Sequence, residues 1–179
     1  IDEFETIKAR RIIIATGTSP NLMGIPGERE LKGKGISYCA TCDAKYYVDK
    51  EVIVIGGGNS AVEEADFISK FASKITMVHQ FDAFTANKQA QEKLFANPKI
   101  NVLFGHEPRS FSREGDKMIT TVEDLKTNNV TTLVSDGVFV FIGMKPNIDL
   151  FRDKLELDNW GYIKADEDMR TSMPGVYAV

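Results

Sequence analysis

Cys39-Ala40-Thr41-Cys42-Asp43 sets two thiols in a C-x-x-C run with a carboxyl group directly behind the second. Such a pair can close a disulfide in place, make half of a zinc site, or be two unrelated buried thiols. The chain holds 2 Cys and 2 His. His79 and His106 stand at no spacing that completes a finger or ribbon around the pair, so no metal site is expected. Redox work is the favoured reading, because a thiolate in this setting is readily stabilised by its neighbours and exchanges with other disulfides. Asp43 can then shuttle a proton, or it can be a helix N-cap or a solvated turn carboxylate; the residues leave both open.

A second chemistry-bearing run is Gly56-Gly57-Gly58-Asn59-Ser60-Ala61, directly behind the apolar stretch Val52–Ile55. Gly56-x-Gly58-x-x-Ala61 matches the dinucleotide fingerprint, in which the first glycine turns the chain and the second lets a pyrophosphate approach. The third position packs helix on strand. The pyrophosphate would sit on the helix N-terminus, near the amides of Asn59 and Ser60. A glycine triplet alone is often a bare turn. The strand before this one and the amphipathic pattern after it, with Ala61, Ala65 and Ile68 on one face, favour the nucleotide reading. Ribose is read about 20 residues beyond the glycines, by an acid for NAD or by cations for the 2′-phosphate of NADP. His79-Gln80-Phe81 occupies that position, neither acidic nor cationic at neutral pH.

The elements that must hold these groups are legible as an α/β pattern. Strand, glycine turn, helix and the second strand Ile75–Val78 make a βαβ unit, whose strands should be parallel. A helix over Ala86–Leu94, stopped at Asn97-Pro98, and a third strand over Ile100–Phe104 follow. Residues Glu107 to Ser135 read as a β-meander, and Val138–Ile142 as another buried strand broken at Gly143. The expected fold is a Rossmann-like, three-layer nucleotide-binding domain, with a parallel sheet, helices on one face and the meander on the other. Before it, a strand over Arg11–Ala15 leads into a loop rich in turn formers, up to Gly27.

At 179 residues, 42% hydrophobic and 27% charged, the chain has the composition of a globular protein with a real core. Its 22 basic and 26 acidic residues give a net charge of -4 without a basic block, which argues against nucleic acid and anionic membrane as partners. No segment approaches the roughly 20 apolar residues of a membrane helix, and the first residues lack signal-peptide features; a soluble, cytoplasmic protein is expected. Strand-like runs close to both termini predict an internal piece of a longer protein.

Taken together, the dithiol run, the strand with Gly56–Ala65, and Asp136-Gly137-Val138-Phe139-Val140-Phe141-Ile142-Gly143 resemble low-molecular-weight thioredoxin reductases. Ala15-Thr16-Gly17, Ile25-Pro26-Gly27-Glu28 and Thr171-Ser172-Met173-Pro174-Gly175-Val176-Tyr177-Ala178 fit as well. The resemblance implies a pyridine-nucleotide domain over residues 31–145 inserted into a FAD domain, of which 1–30 and 146–179 are remnants. It implies electrons passing through FAD to Cys39 and Cys42 and on to a thioredoxin-like protein, in a homodimer. Alternatives are a reductase feeding a peroxiredoxin, or a non-catalytic nucleotide-binding module. Cys42 would face the flavin, Cys39 would exchange with the protein disulfide and Asp43 would be the acid-base group. Gly56, Gly57, Gly58, Asn59, Ser60, Ala61, His79, Gln80, Ile142 and Gly143 would bind cofactor.

One departure stands out. The family's His-Arg-Arg-x-x-x-Arg run, which reads NADPH, is His79-Gln80-Phe81-Asp82-Ala83-Phe84-Thr85 here. The cofactor is left as NADPH or NADH, with Lys88 either reaching a phosphate or solvated on its helix. Ferredoxin or a reduced flavin is a further possible donor.

Overall fold

The computed structural model describes residues 7–179; residues 1–6 of the expected flanking piece lie outside them. Along the chain run β1 (Ile12–Ile14), β2 (Thr18–Pro20), α1 (Glu28–Leu31), β3 (Ile36–Ser37) and α2 (Ala40–Asp43), which continues as one 3₁₀ turn over Ala44–Tyr47. Then come β4 (Glu51–Ile55), α3 (Asn59–Ile68), β5 (Lys74–His79), α4 (Lys88–Phe95) and β6 (Ile100–Phe104). The remaining elements are strands: β7 (His106–Glu114), β8 (Lys117–Asp124), β9 (Val130–Ser135), β10 (Gly137–Val140), β11 (Met144–Pro146) and β12 (Val176–Ala178). Among the described residues no helix is long and apolar enough to cross a membrane.

Two compact units divide the chain, one holding residues up to Ser19 with Met144–Val179, the other Pro20–Gly143. In the first, β1 pairs parallel with β12, and Ile14, Leu155 and Val176 form a small core. Asn147 fastens its loop there, its amide nitrogen donating to the Thr16 carbonyl.

In the second unit five strands run in the order β3-β10-β4-β5-β6, each neighbouring pair parallel, and β7-β8-β9 form an antiparallel sheet. Both faces of the parallel sheet are covered, so its strands read as continuous apolar runs rather than alternations. The strand period still sorts them. Val52, Val54, Ile75, Met77 and Phe139 pack with Ala61, Ala65, Ile68 and Leu94 of the helices. Ile53, Ile55, Val78, Val138 and Val140 pack on the other face, against Phe111, Met118 and Val122 of the meander. Helices, parallel sheet and meander are thus the three expected layers.

Three local boundaries differ from the sequence expectation. α4 starts at Lys88 because Asn87 is extended and caps it, its side chain accepting from Ala90 N at 2.8 Å. β10 stops at Val140, short of Ile142, where Asn21 binds the Ile142 carbonyl through its side chain and the Gly143 carbonyl through its backbone. Residues 20–30 group with the second unit instead of the flanking piece, since Met23 and Ile25 pack on the meander-side core and Phe111 N donates to Pro26 O at 2.9 Å.

Glu28 closes that loop. It is fully buried, and its carboxylate accepts from Met23 N (3.0 Å), Gly24 N (2.7 Å) and Tyr38 Oη (2.8 Å). Burial first, and then this contact, pushes the Tyr38 phenol well above its ordinary value. Glu28→Ala strands three donors, so it is expected to destabilise the chain by about 3 kcal/mol, read as a lowered denaturant midpoint at unchanged m.

Candidate functional site

The glycine loop takes its shape from what surrounds it. Gly56 has φ 133°, and a Cβ there would strike the backbone carbonyl of Phe141 and crowd Ala61. Gly57 lies flat on the His79 imidazole, leaving no room for a side chain. Gly58 precedes α3 with no side-chain cap, and a Cβ there would meet only Thr85 Oγ1, at 3.9 Å. The backbone therefore opens to an approaching group at Gly58, next to the uncapped amides that begin α3. Those amides and the helix dipole favour an anion.

This loop forms one wall of a cleft of about 540 Å³, a volume in the range of small-molecule and cofactor sites. Gly56–Ala61, His79, Gln80, Ile142 and Gly143 all line it. Asn59 differs in where its side chain goes: its oxygen accepts from Asn87 N at 2.8 Å, bracing the start of α4. Ser60 is exposed at the rim and Ala61 is fully buried beneath it. His79 is 8% exposed, and its Nε2, buried without a partner, belongs to a ring lining the cleft. Burial pushes its pKa down, so the imidazole is neutral at pH 7.

The far end of the cleft was only partly legible. Gln80 is exposed and Phe81 is 57% exposed, so β5 offers no cation there. Two cations of the meander lie outside the cleft's lining. Lys126 Nζ lies 2.7 Å from Asp82, and Arg109 holds Glu107 at 2.7 Å and Glu123 at 2.5 Å. Both cations are matched by acids, and Glu107 with His106 lines the cleft. Lys88 begins α4. Two of the three pairs, Arg109–Glu123 and Lys126–Asp82, join residues distant in sequence, so no local spacing announces them.

The dithiol sits at the end of the edge strand β3. Phe139 of β10 is in register with both Ser37 of β3 and Val54 of β4. Cys39 lies two residues past Ser37, as Gly56 lies two past Val54. With strands about 4.8 Å apart, the disulfide and the glycine loop emerge from the same carboxyl end of the sheet, on the order of 10 Å from each other. Carboxyl ends of parallel strands are where α/β folds bind ligands.

Cys39 and Cys42 form a disulfide with Cα atoms 5.3 Å apart. Cys39 is extended and caps α2, its Sγ accepting from Cys42 N at 3.2 Å. Cys42 is exposed and Cys39 half-buried. Asp43 stands at the N-cap of the 3₁₀ turn but makes no side-chain cap bond; its Oδ2 accepts from Ser37 Oγ at 2.6 Å. Tyr46 of the 3₁₀ turn and Val48 just after it are 63% and 53% exposed. Among the described residues no three His, Cys, Asp or Glu side chains gather as a metal site. The short helix α2 and the role of Ser37 escaped the sequence reading, because four residues carry no periodicity and a serine carries no motif.

Comparison with known proteins adds the following. The model of the pyridine nucleotide-disulphide oxidoreductase family matches residues 2–179. Thioredoxin reductases of Peptoclostridium acidaminophilum and Peptoclostridium litorale are 45% and 47% identical over 177 residues, 96% of this chain and 56% of theirs. A 34.2 kDa protein in the rubredoxin operon of Clostridium pasteurianum is 44% identical over 171 residues. The chain thus spans about half the length of the curated relatives it matches. Among solved structures, Lactococcus lactis thioredoxin reductase superposes with a TM-score of 0.88 at 36% identity, covering 100% of this chain and 59% of that one. The T. acidophilum enzyme follows with 0.86 at 32%.

Proposed function

Because the chain belongs to the pyridine nucleotide-disulphide oxidoreductase family, we propose that it is the dithiol-bearing part of a flavin-dependent disulfide reductase that reduces a thioredoxin-like protein. The observation that carries the reading is the closed Cys39–Cys42 disulfide, in register with the glycine loop at the carboxyl end of the parallel sheet. The homologues named thioredoxin reductase support it. By the same reading the unit built on β1 and β12 is part of a flavin domain, and the protein works as a cytoplasmic homodimer.

Cofactor fit differs between the two units. The uncapped start of α3, open at Gly58, suits a dinucleotide pyrophosphate. The first unit offers a cavity of about 330 Å³, walled by groups such as Ile14, Ile148 and Ile163. That is an apolar surface for part of a flavin nucleotide only. When bound, a flavin supplies an electron pair.

The chain's own chemistry is thiol–disulfide exchange. In the reduced pair, Asp43 takes the proton from Cys39, and the thiolate attacks one sulfur of the partner disulfide. The partner's other sulfur leaves as a thiolate and takes that proton from Asp43. Asp43 next takes the proton from Cys42, whose thiolate attacks Cys39 Sγ and restores the Cys39–Cys42 bond; the partner's second sulfur leaves as a thiolate and takes that proton from Asp43. Tyr46 and Val48 give the partner an apolar landing beside the pair.

Electron supply follows from charge. Reading a 2′-phosphate takes unpaired cations, whose charge-assisted bonds contribute about 1.5–3 kcal/mol each. Here Arg109 and Lys126 are held by Glu107, Glu123 and Asp82. Stopped-flow reduction of the full-length flavoprotein is therefore expected to favour NADPH over NADH by less than about 10-fold, where two such bonds to the 2′-phosphate would allow far more. A selectivity of several hundred-fold for NADPH contradicts this. Reduction of a thioredoxin-like protein by the same preparation tests the function; failure with any donor, in a preparation that holds flavin, rejects it.

A further inference from the structure

Ser37 is buried, 5% exposed, at the end of β3, and no motif marks it. Its Oγ has three neighbours: Asp43 Oδ2 at 2.6 Å, Cys39 N at 3.1 Å and the Cys39 carbonyl at 3.2 Å. A hydroxyl has one proton to give and two lone pairs. The Cys39 N–H must donate to Oγ. The single hydroxyl proton goes to the shortest and charged neighbour, the Asp43 carboxylate. Ser37 thus joins the backbone of one redox cysteine to the carboxyl group behind the other, and occupies one of that group's two oxygens.

We propose that Ser37 is the positioning residue for the proton step of the dithiol. It holds Asp43 by Oδ2 and so leaves Oδ1 to take the proton from the attacking sulfur and return it to the leaving one. The inference rests on the dithiol reading above. A carboxylate on a single exposed side chain samples several rotamers. One anchored to a buried hydroxyl, itself fixed by the Cys39 amide, meets the sulfurs in one orientation, which is what proton transfer requires. The balance is closed: one proton moves from Cys39 to Asp43 and from Asp43 to the released thiolate, while the Cys39–partner bond forms as the partner disulfide breaks.

The test follows exchange of the reduced chain with bis(2-hydroxyethyl) disulfide between pH 7 and pH 10. At pH 7, Ser37→Ala and Asp43→Asn are each expected to slow the reaction by about 10-fold, toward the low end of general acid–base contributions. The double variant is expected to match the single ones, and Ser37→Thr, which keeps a hydroxyl, to recover most of the rate. By pH 10, above the ordinary thiol value of about 8.5, sulfur ionises unaided and all variants should converge on the parent. Ser37→Gly removes the hydroxyl a second way and should give the same profile. A Ser37→Ala rate equal to the parent beside a slow Asp43→Asn overturns the proposal. So does a loss that persists at pH 10 or adds to that of Asp43→Asn, since either marks a purely structural serine. An Asp43→Asn rate equal to the parent at pH 7 instead removes the acid-base role on which the proposal rests.

Discussion

Replacing either Cys39 or Cys42 with serine in the full-length protein is expected to lower turnover with a thioredoxin-like substrate by on the order of 10³-fold or more, because a covalent relay does not survive the loss of either sulfur. The two losses should not add, since both remove the same disulfide. Thermal stability should change far less than activity. The disulfide closes a loop of only a few residues, so the chain-entropy gain from it is small. Steady-state assays beside melting curves separate the two effects. Equal turnover in parent and variants would mean that electrons leave by another route.

Gly56→Ala is expected to be the most damaging substitution in the nucleotide loop. The residue sits at φ 133°, and the atom its Cβ would meet is a backbone oxygen, that of Phe141. That backbone cannot withdraw, because Phe141 N donates to Ile55 O at 2.8 Å and Gly56 N donates to Val78 O at 3.1 Å. The loop is held to the strands on both sides. Strain and overpacking together should cost about 3 kcal/mol or more, a fall in melting temperature of about 10 °C for a chain of this size. Gly58→Ala provides the contrast: it has space and an ordinary φ, so stability should stay within about 1 kcal/mol of the parent. Its added methyl instead stands where an anion approaches, so binding of an adenine dinucleotide should weaken. A Gly56→Ala chain as stable as Gly58→Ala would show that the loop is not locked as described.

The layers of the second unit were readable from pattern because long apolar runs and a glycine turn are strong local signals. β4, α3, β5 and the meander all follow from them. What escaped was set by partners distant in sequence. Asn21 shortens β10 by binding Ile142 and Gly143. Residues 20–30 are tied into this unit by Phe111 N, which donates to Pro26 O, and by Tyr38, which donates to the buried Glu28. The missing arginines after β5 were visible in the sequence. That Arg109 and Lys126 of the meander are each already paired with acids was not.

The site divides in the same way. C-x-x-C and the glycine fingerprint named their own chemistry, while the register that sets them at the carboxyl end of the sheet appears only once β10 is seen to lie between β3 and β4. Asp43 was open between a cap and a proton carrier. In the structure its side chain caps nothing and accepts from Ser37.

The most direct measurement is a trap. In the Cys42→Ser chain the relay stops after the first exchange, so Cys39 should remain covalently joined to a thioredoxin-like protein whose own second cysteine is serine and whose first carries an activated disulfide. Intact mass and peptide mapping are predicted to give a one-to-one adduct through Cys39, formed faster than the Cys42 adduct of the Cys39→Ser chain. No adduct, or one formed preferentially through Cys42, would contradict the account.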